Sequence, residues 1–120
     1  MRGGKASVSY DERFVVTHNY TDVSDFEELN KSRRGADKYT GTNDPRFTAL
    51  LQTSSNIWMT DLWTGKSLRL TTMNSSQFAL YPHFRGDGWL YFMVRDVKQK
   101  KHFVVASDAA LQWALKYPIQ

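Results

Sequence analysis

Ile57-Trp58-Met59-Thr60-Asp61-Leu62, Trp63-Thr64-Gly65-Lys66, Ser67-Leu68-Arg69-Leu70-Thr71 and, further on, Tyr81-Pro82-His83-Phe84-Arg85-Gly86-Asp87-Gly88-Trp89-Leu90-Tyr91-Phe92-Met93-Val94 decide the fold. In the first run Ile57, Met59 and Asp61 point to one side of an extended chain, and Trp58, Thr60 and Leu62 to the other. Trp89 to Val94 is continuously apolar, as expected of a strand covered on both faces. Gly65 and Gly88 suit turn positions that need positive φ, and Asp87-Gly88 is a turn-forming pair. Asp61, at a strand end, is placed to accept hydrogen bonds from turn amides. Both Asp61 and Asp87 read as turn-holding groups rather than catalytic ones.

The same unit occurs twice. A shift of 76 positions lays Ala6 to Val16 over Pro82 to Phe92, so that Val8 meets Phe84, Asp11 meets Asp87, and Phe14-Val15-Val16 meets Leu90-Tyr91-Phe92. A shift of 47 lays Val104-Val105-Ala106-Ser107-Asp108 over Ile57-Trp58-Met59-Thr60-Asp61. Self-similarity of this kind marks stacked supersecondary units, which commonly repeat at about 40–45 residues, and the excess of roughly 30 residues here falls between the strands of the first copy. Residues 19–55 therefore read as an insertion.

Arg85-Gly86-Asp87-Gly88 before an apolar run, Asn56 to Leu62, and Thr64-Gly65-Lys66-Ser67-Leu68-Arg69-Leu70-Thr71 together resemble the blades of TolB-like β-propellers. Those blades carry a Ser-Pro-Asp-Gly turn, an Ile-Tyr-x-x-Asp-Leu strand and a Gly-x-x-x-x-Leu-Thr strand. The first copy departs from this pattern, with Tyr10 and Glu12 where the turn usually has Pro and Gly. The resemblance implies an all-β protein of antiparallel propeller-type blades. Blade one covers residues 5–71 with the insertion 19–55, blade two covers 79–108, and a tail with a short helix covers 109–120. Strands are expected at Ala6–Ser9, Phe14–His18, Ile57–Leu62, Ser67–Thr71, His83–Phe84, Trp89–Arg95 and His102–Ala106. Trp58, Leu70, Phe84, Leu90, Phe92 and Val105 are the expected core.

Size is the physical difficulty. A propeller closes by radial repetition of about 4–8 blades, and 120 residues supply two. Three outcomes are open: a piece of a longer propeller, a ring assembled from several chains, or a smaller sandwich. After Val104-Val105-Ala106 no second Gly-x-x-x-x-Leu-Thr strand follows, so the last blade is expected to lack its outer strand. On the resemblance, this is the C-terminal end of a propeller whose earlier blades are absent, unless Leu111 to Ile119 supplies the fourth strand.

The insertion is polar. Ser24-Asp25-Phe26-Glu27 fits a capping box and Gly35 a helix stop, which predicts a helix from Asp25 to about Arg34. Asp44-Pro45 predicts a second helix start, followed by Phe47, Leu50 and Leu51 as packing residues. Loops carry function more often than cores do. Phe26, Leu29, Arg33, Arg34, Tyr39 and Phe47 are accordingly the candidate protein-binding residues, against the simpler reading of a surface excursion. Near the other end Asp108 is placed to cap a helix, with Leu111 and Leu115 on one face and Pro118 as its stop.

Composition agrees with an all-β domain: 41% of residues are hydrophobic and 14% aromatic. No apolar run reaches the roughly 18 residues of a membrane span. The absence of cysteine excludes a disulfide framework and a thiolate metal site. The net charge of +4 concentrates at Lys31 to Arg34 and Lys98 to Lys101. The second cluster lies between two predicted strands and reads as a charged hairpin tip that keeps an edge soluble. Nucleic-acid binding needs exposed aromatics beside such charge, and the aromatics here sit inside strand patterns. His18, His83 and His102 lack zinc-protease spacing, and there is no nucleophile elbow. A metal held by His18 or His83 with Asp11 or Asp87 is the weaker alternative to their being turn neighbours. The expectation is thus a non-enzymatic binding module without cofactor, acting through self-association or a protein partner. The alternative is the non-catalytic propeller portion of a larger enzyme such as a peptidase. The resemblance implies a periplasmic or envelope location if a signal peptide lies upstream.

Overall fold

The computed structural model describes residues 6–118. Their elements are β1 (Ala6–Val8), β2 (Phe14–Tyr20), α1 (Phe26–Lys31), α2 (Pro45–Thr48), β3 (Ser54–Asp61), β4 (Ser67–Arg69), β5 (Gln77–Phe84), β6 (Leu90–Asp96), β7 (Lys101–Ser107) and α3 (Ala109–Lys116). The expected first-blade start at residue 5 and the last two tail residues lie outside the described range. The chain is mostly strand, in one mixed, open sheet.

Two runs of consecutive antiparallel strands make up the sheet. β1, β2, β3 and β4 form one, β5, β6 and β7 the other. A short parallel bridge joins them, pairing Ser54 with Gln77 and Ser55 with Phe78. Beyond it β5 leaves β3 and lies against β1 and β2, where Phe84 donates its N–H to Ser7 Oγ at 3.2 Å. The Cα radius of gyration is 15.1 Å, above the roughly 13.6 Å of a rounded domain of this length.

The internal repeat holds strand for strand. The shift of 76 carries β2 onto β6 end to end, and the shift of 47 carries the start of β3 onto the start of β7. It also holds in the turns. Glu12 N–H donates to Ser9 O at 2.9 Å, as Gly88 N–H donates to Arg85 O at 3.0 Å. Asp11 Oδ1 accepts from Arg13 N–H at 3.2 Å, as Asp87 Oδ1 accepts from Trp89 N–H at 3.0 Å. Glu12 takes φ +61° where Gly88 takes +88°. A side chain in this left-handed region costs roughly 1–2 kcal/mol, so Glu12 bears the conformation that glycine adopts freely in the second copy.

The main core lies on one face of the sheet. Phe14, Val16, Ile57, Met59, Ala79, Leu90, Phe92 and Val94 are buried there with Ala110 of α3. Leu70, Phe84, Val105, Trp113 and Ala114 pack around them. Of the expected core, Leu90 and Phe92 are buried, and Leu70, Phe84 and Val105 line it. Trp58 is a correction. It is half-buried and outside this cluster, because Ile57, Met59 and Asp61 take the inner positions of β3 and period-two alternation sends Trp58 to the other face.

Other corrections have equally local causes. β5 begins six residues earlier than expected. Its register shifts between Leu80 and His83, with Tyr81 at φ +53°, and this bulge lets a strand accommodate Pro82, which has no N–H to donate. β2 runs through Tyr20 and β3 begins at Ser54, so the excursion between them spans 21–53. Its capping box is formed by Asp22 and Asp25, and a 3-10 turn over Val23–Asp25 precedes α1. Gly35 begins a second 3-10 turn rather than ending α1. Residues 109–116 are helical, so they are not a fourth strand. Ala110, Trp113 and Ala114 of α3 meet the core, whereas Leu115 is 77% exposed. Asp108 bonds Gln112 Nε2 at 3.0 Å and makes no side-chain cap.

Candidate functional site

β7 is the last strand in the sheet order. It pairs with β6 along its whole length, from Asp96 with Lys101 to Leu90 with Ser107. Its counterpart β3 has its outer edge covered by β4. There Leu70 N–H donates to Ile57 O and Asp61 N–H donates to Lys66 O, both at 2.8 Å. The shift of 47 matches Ile57 to Val104 and Met59 to Ala106, so the repeat turns the main-chain groups of Val104 and Ala106 outward. Among the described residues no strand pairs with that edge. Phe103 is 53% and Val104 70% exposed. Unpaired edges with apolar side chains are templates for further pairing. Lys98 and Lys100 in the turn before β7 and Lys101 at its start are all exposed, and Asp108 follows the strand's last residue.

A buried ionic cluster holds the opposite end of the first strand group. Arg13 Nε and Nη2 donate to Asp61 Oδ1 and Oδ2 at 3.2 and 2.9 Å, and both side chains are almost fully buried. Trp113 Nε1 donates to Asp61 Oδ2 at 2.9 Å, and Trp63 N–H to Oδ1 at 3.0 Å. Arg13 Nη2 also donates to Tyr117 O at 2.7 Å. The guanidinium lies 5.2 Å from the Trp63 ring centroid. One carboxylate thus joins the turn leading into β2, the end of β3, the following turn and α3. The Arg13 guanidinium, aided by the Trp113 and Trp63 donors, holds the Asp61 carboxyl far below the usual range against the opposing effect of burial.

The histidines do not converge. His18 is buried, and its Nδ1 accepts from Tyr81 N–H at 3.2 Å, which places the ring proton on Nε2. Burial lowers its pKa. His83 is exposed and stacks on Tyr91 with centroids 5.9 Å apart. Among the described residues no group of three or more His, Asp or Glu is placed to hold a metal. Asp11 and Asp87 meet at a cavity of about 190 Å³ between the two matching turns and Ala110, Leu111 and Ala114 of α3. That is below the roughly 300–1,000 Å³ of most small-molecule sites.

The insertion closes on itself. Leu29, Tyr39 and Phe47 are buried together, with Phe26, Leu50 and Leu51 packed against them. Phe26 and Tyr39 lie 5.1 and 5.5 Å from Phe47, ring centroid to centroid. Arg33 sits 4.2 Å from the Tyr39 ring centroid and donates to Asp37 O at 3.2 Å. Arg34 is exposed. The six candidate residues therefore divide: Phe26, Leu29, Tyr39 and Phe47 fill a small core, and Arg33 and Arg34 lie at its rim. Asp44 and Arg46 pair at 2.8 Å, and Arg46 donates to the carbonyls of Ala36 and Lys38 at 2.9 and 2.6 Å. Arg46, with the Thr40 and Arg46 amides, holds Asp44 well below the usual carboxylate range. Arg69 of β4 pairs with Glu28 of α1 at 2.7 Å, tying the insertion to the sheet.

No family model, curated protein or solved structure matches the chain. Arg13 is the structural residue that the sequence reading missed. Its one signal is position: it follows the Asp11 turn, where the second copy has Trp89.

Proposed function

We propose that the chain is a non-enzymatic protein-binding module made of two β-propeller-type units, four strands followed by three, which takes up an extended segment of another polypeptide along β7. The observation that carries this reading is the seven-residue edge of β7, open at the place where β4 covers β3. Strand addition to such an edge draws affinity from main-chain hydrogen bonds and specificity from alternate side chains. Phe103 and Val104 supply those side chains on the two faces. The insertion, with Arg33 and Arg34 at its rim, is the element that distinguishes one partner from another. The order of strands, the matching turns and the resemblance to TolB-like blades support the propeller-type reading.

The test supplies the missing strand as a peptide. A synthetic peptide of residues 65–72, containing the β4 sequence, is titrated into the isotopically labelled chain and followed by amide chemical shifts. The expected result is concentration-dependent shifts centred on Val104 and Ala106. Shifts confined to the insertion or to α3, or none at millimolar peptide, overturn the reading.

A further inference from the structure

From the sequence and geometry of this edge we infer that its occupant is β7 of a second copy, paired antiparallel about a two-fold axis at Val104. The inference rests on the strand-addition reading of β7 and names its partner. Three observations select this arrangement. First, two identical strands paired edge to edge about a two-fold axis are related by an axis through a residue, since only then do opposed side chains share a face. Val104 is the middle residue of β7, so this centre alone overlaps the whole strand. Second, the repeat turns Val104 and Ala106 outward, which places exchangeable main-chain groups on the axis and on both sides of it. Third, the flanks are complementary. This register sets Lys101 opposite the partner copy's Ser107, and sets Lys100 opposite the partner copy's Asp108. Charge is therefore matched at both ends at once. On the core face each Phe103 lies opposite the other copy's Val105, which continues the apolar surface of the sheet across the junction. Centres at Phe103 or Val105 shorten the overlap and separate Lys100 from Asp108. Complementary charge of this kind selects register and partner more than it adds affinity.

The chain has no cysteine, so single cysteines can carry spin labels at chosen sites. Strand rise is about 3.4 Å per residue. Labels at Val104→Cys should give the shortest separation. Labels at Lys101→Cys and Ser107→Cys should give equal backbone separations of about 20 Å, being equally far from the axis. Sedimentation equilibrium should show a dimer. Lys100→Glu and Asp108→Lys should each weaken it about tenfold, and an equimolar mixture of the two variants should recover it, because the mixed pair restores both charge contacts. Circular dichroism confirms that each variant is folded. Unequal separations at positions 101 and 107, a mixture no tighter than either variant, or a wild-type monomer at 0.5 mM (about that concentration being ample for a weak pair) overturns the two-fold pairing. The peptide titration decides separately whether β7 accepts a strand at all.

Discussion

Replacing Asp61 by asparagine will lower folding stability by about 3–5 kcal/mol in a urea series, because it leaves the Arg13 charge buried without its counter-ion. Asp61 accepts from Arg13, Trp113 and Trp63 while almost wholly buried. A loss of that size is a large share of the roughly 5–15 kcal/mol that holds a small domain folded. The paired replacement Arg13→Met with Asp61→Leu should cost less than either single change, since no unpaired charge then remains. The pH dependence follows from the same contacts. The folded pKa of Asp61 lies below the unfolded value of about 3.9. Its stabilisation is therefore present in full above that value and is lost as pH falls through the folded pKa. Asp44, bonded by Arg46 and the Thr40 amide, and Asp96, bonded by the Gln99 amide and Gln77, shift the same way. Wild-type stability should decline below about pH 4, and Asp61→Asn should show a shallower decline. An equal acid slope in the two proteins would contradict the assignment.

Phe92→Ala will cost roughly 3–5 kcal/mol, since a buried aromatic is removed from a site whose neighbours collapse only in part. Phe92 is 5% exposed among Leu90, Val94, Ala79 and Ala110. The same substitution at Phe103, which is 53% exposed on the neighbouring strand, should stay within about 0.5 kcal/mol. A loss under about 1 kcal/mol at Phe92 would remove it from the core.

The strands were legible where the chain alternates or runs apolar. β2, β3, β6 and β7 were expected within two or three residues of where they stand, because period-two patterning and Asp-Gly turns are local signals. β5 was legible only at its end. Its first half is a short apolar run, Phe78-Ala79-Leu80, set between the polar stretch Asn74 to Gln77 and Pro82, and the bulge at Tyr81 depends on a contact with His18 of β2 that no local pattern records. A tryptophan such as Trp58 looks like core until the register fixes which face is covered. The insertion was the hardest part. Phe26, Leu29, Tyr39 and Phe47 are spread along the sequence, and contacts across the insertion bring them together: Asp44 and Arg46 with the 36–40 backbone, and Asn30 and Arg33 of the first helix region with Tyr39 and Asp37. The position of Asp61 at a strand end shows its turn-holding role, and Trp63 N–H does bond it, but its long-range partners Arg13 and Trp113 come from distant elements.

β7 presents an open edge where β3 is covered, and amide hydrogen exchange on the dilute, dissociated chain distinguishes the two edges. Val104 and Ala106 should exchange within about tenfold of unstructured rates, while Ile57 and Asp61, bonded to Thr71 Oγ1 and Lys66 O, should be strongly protected. Protection of Val104 and Ala106 equal to that of Asp61 would mean that the edge is already paired and that β7 has no free main-chain groups to offer.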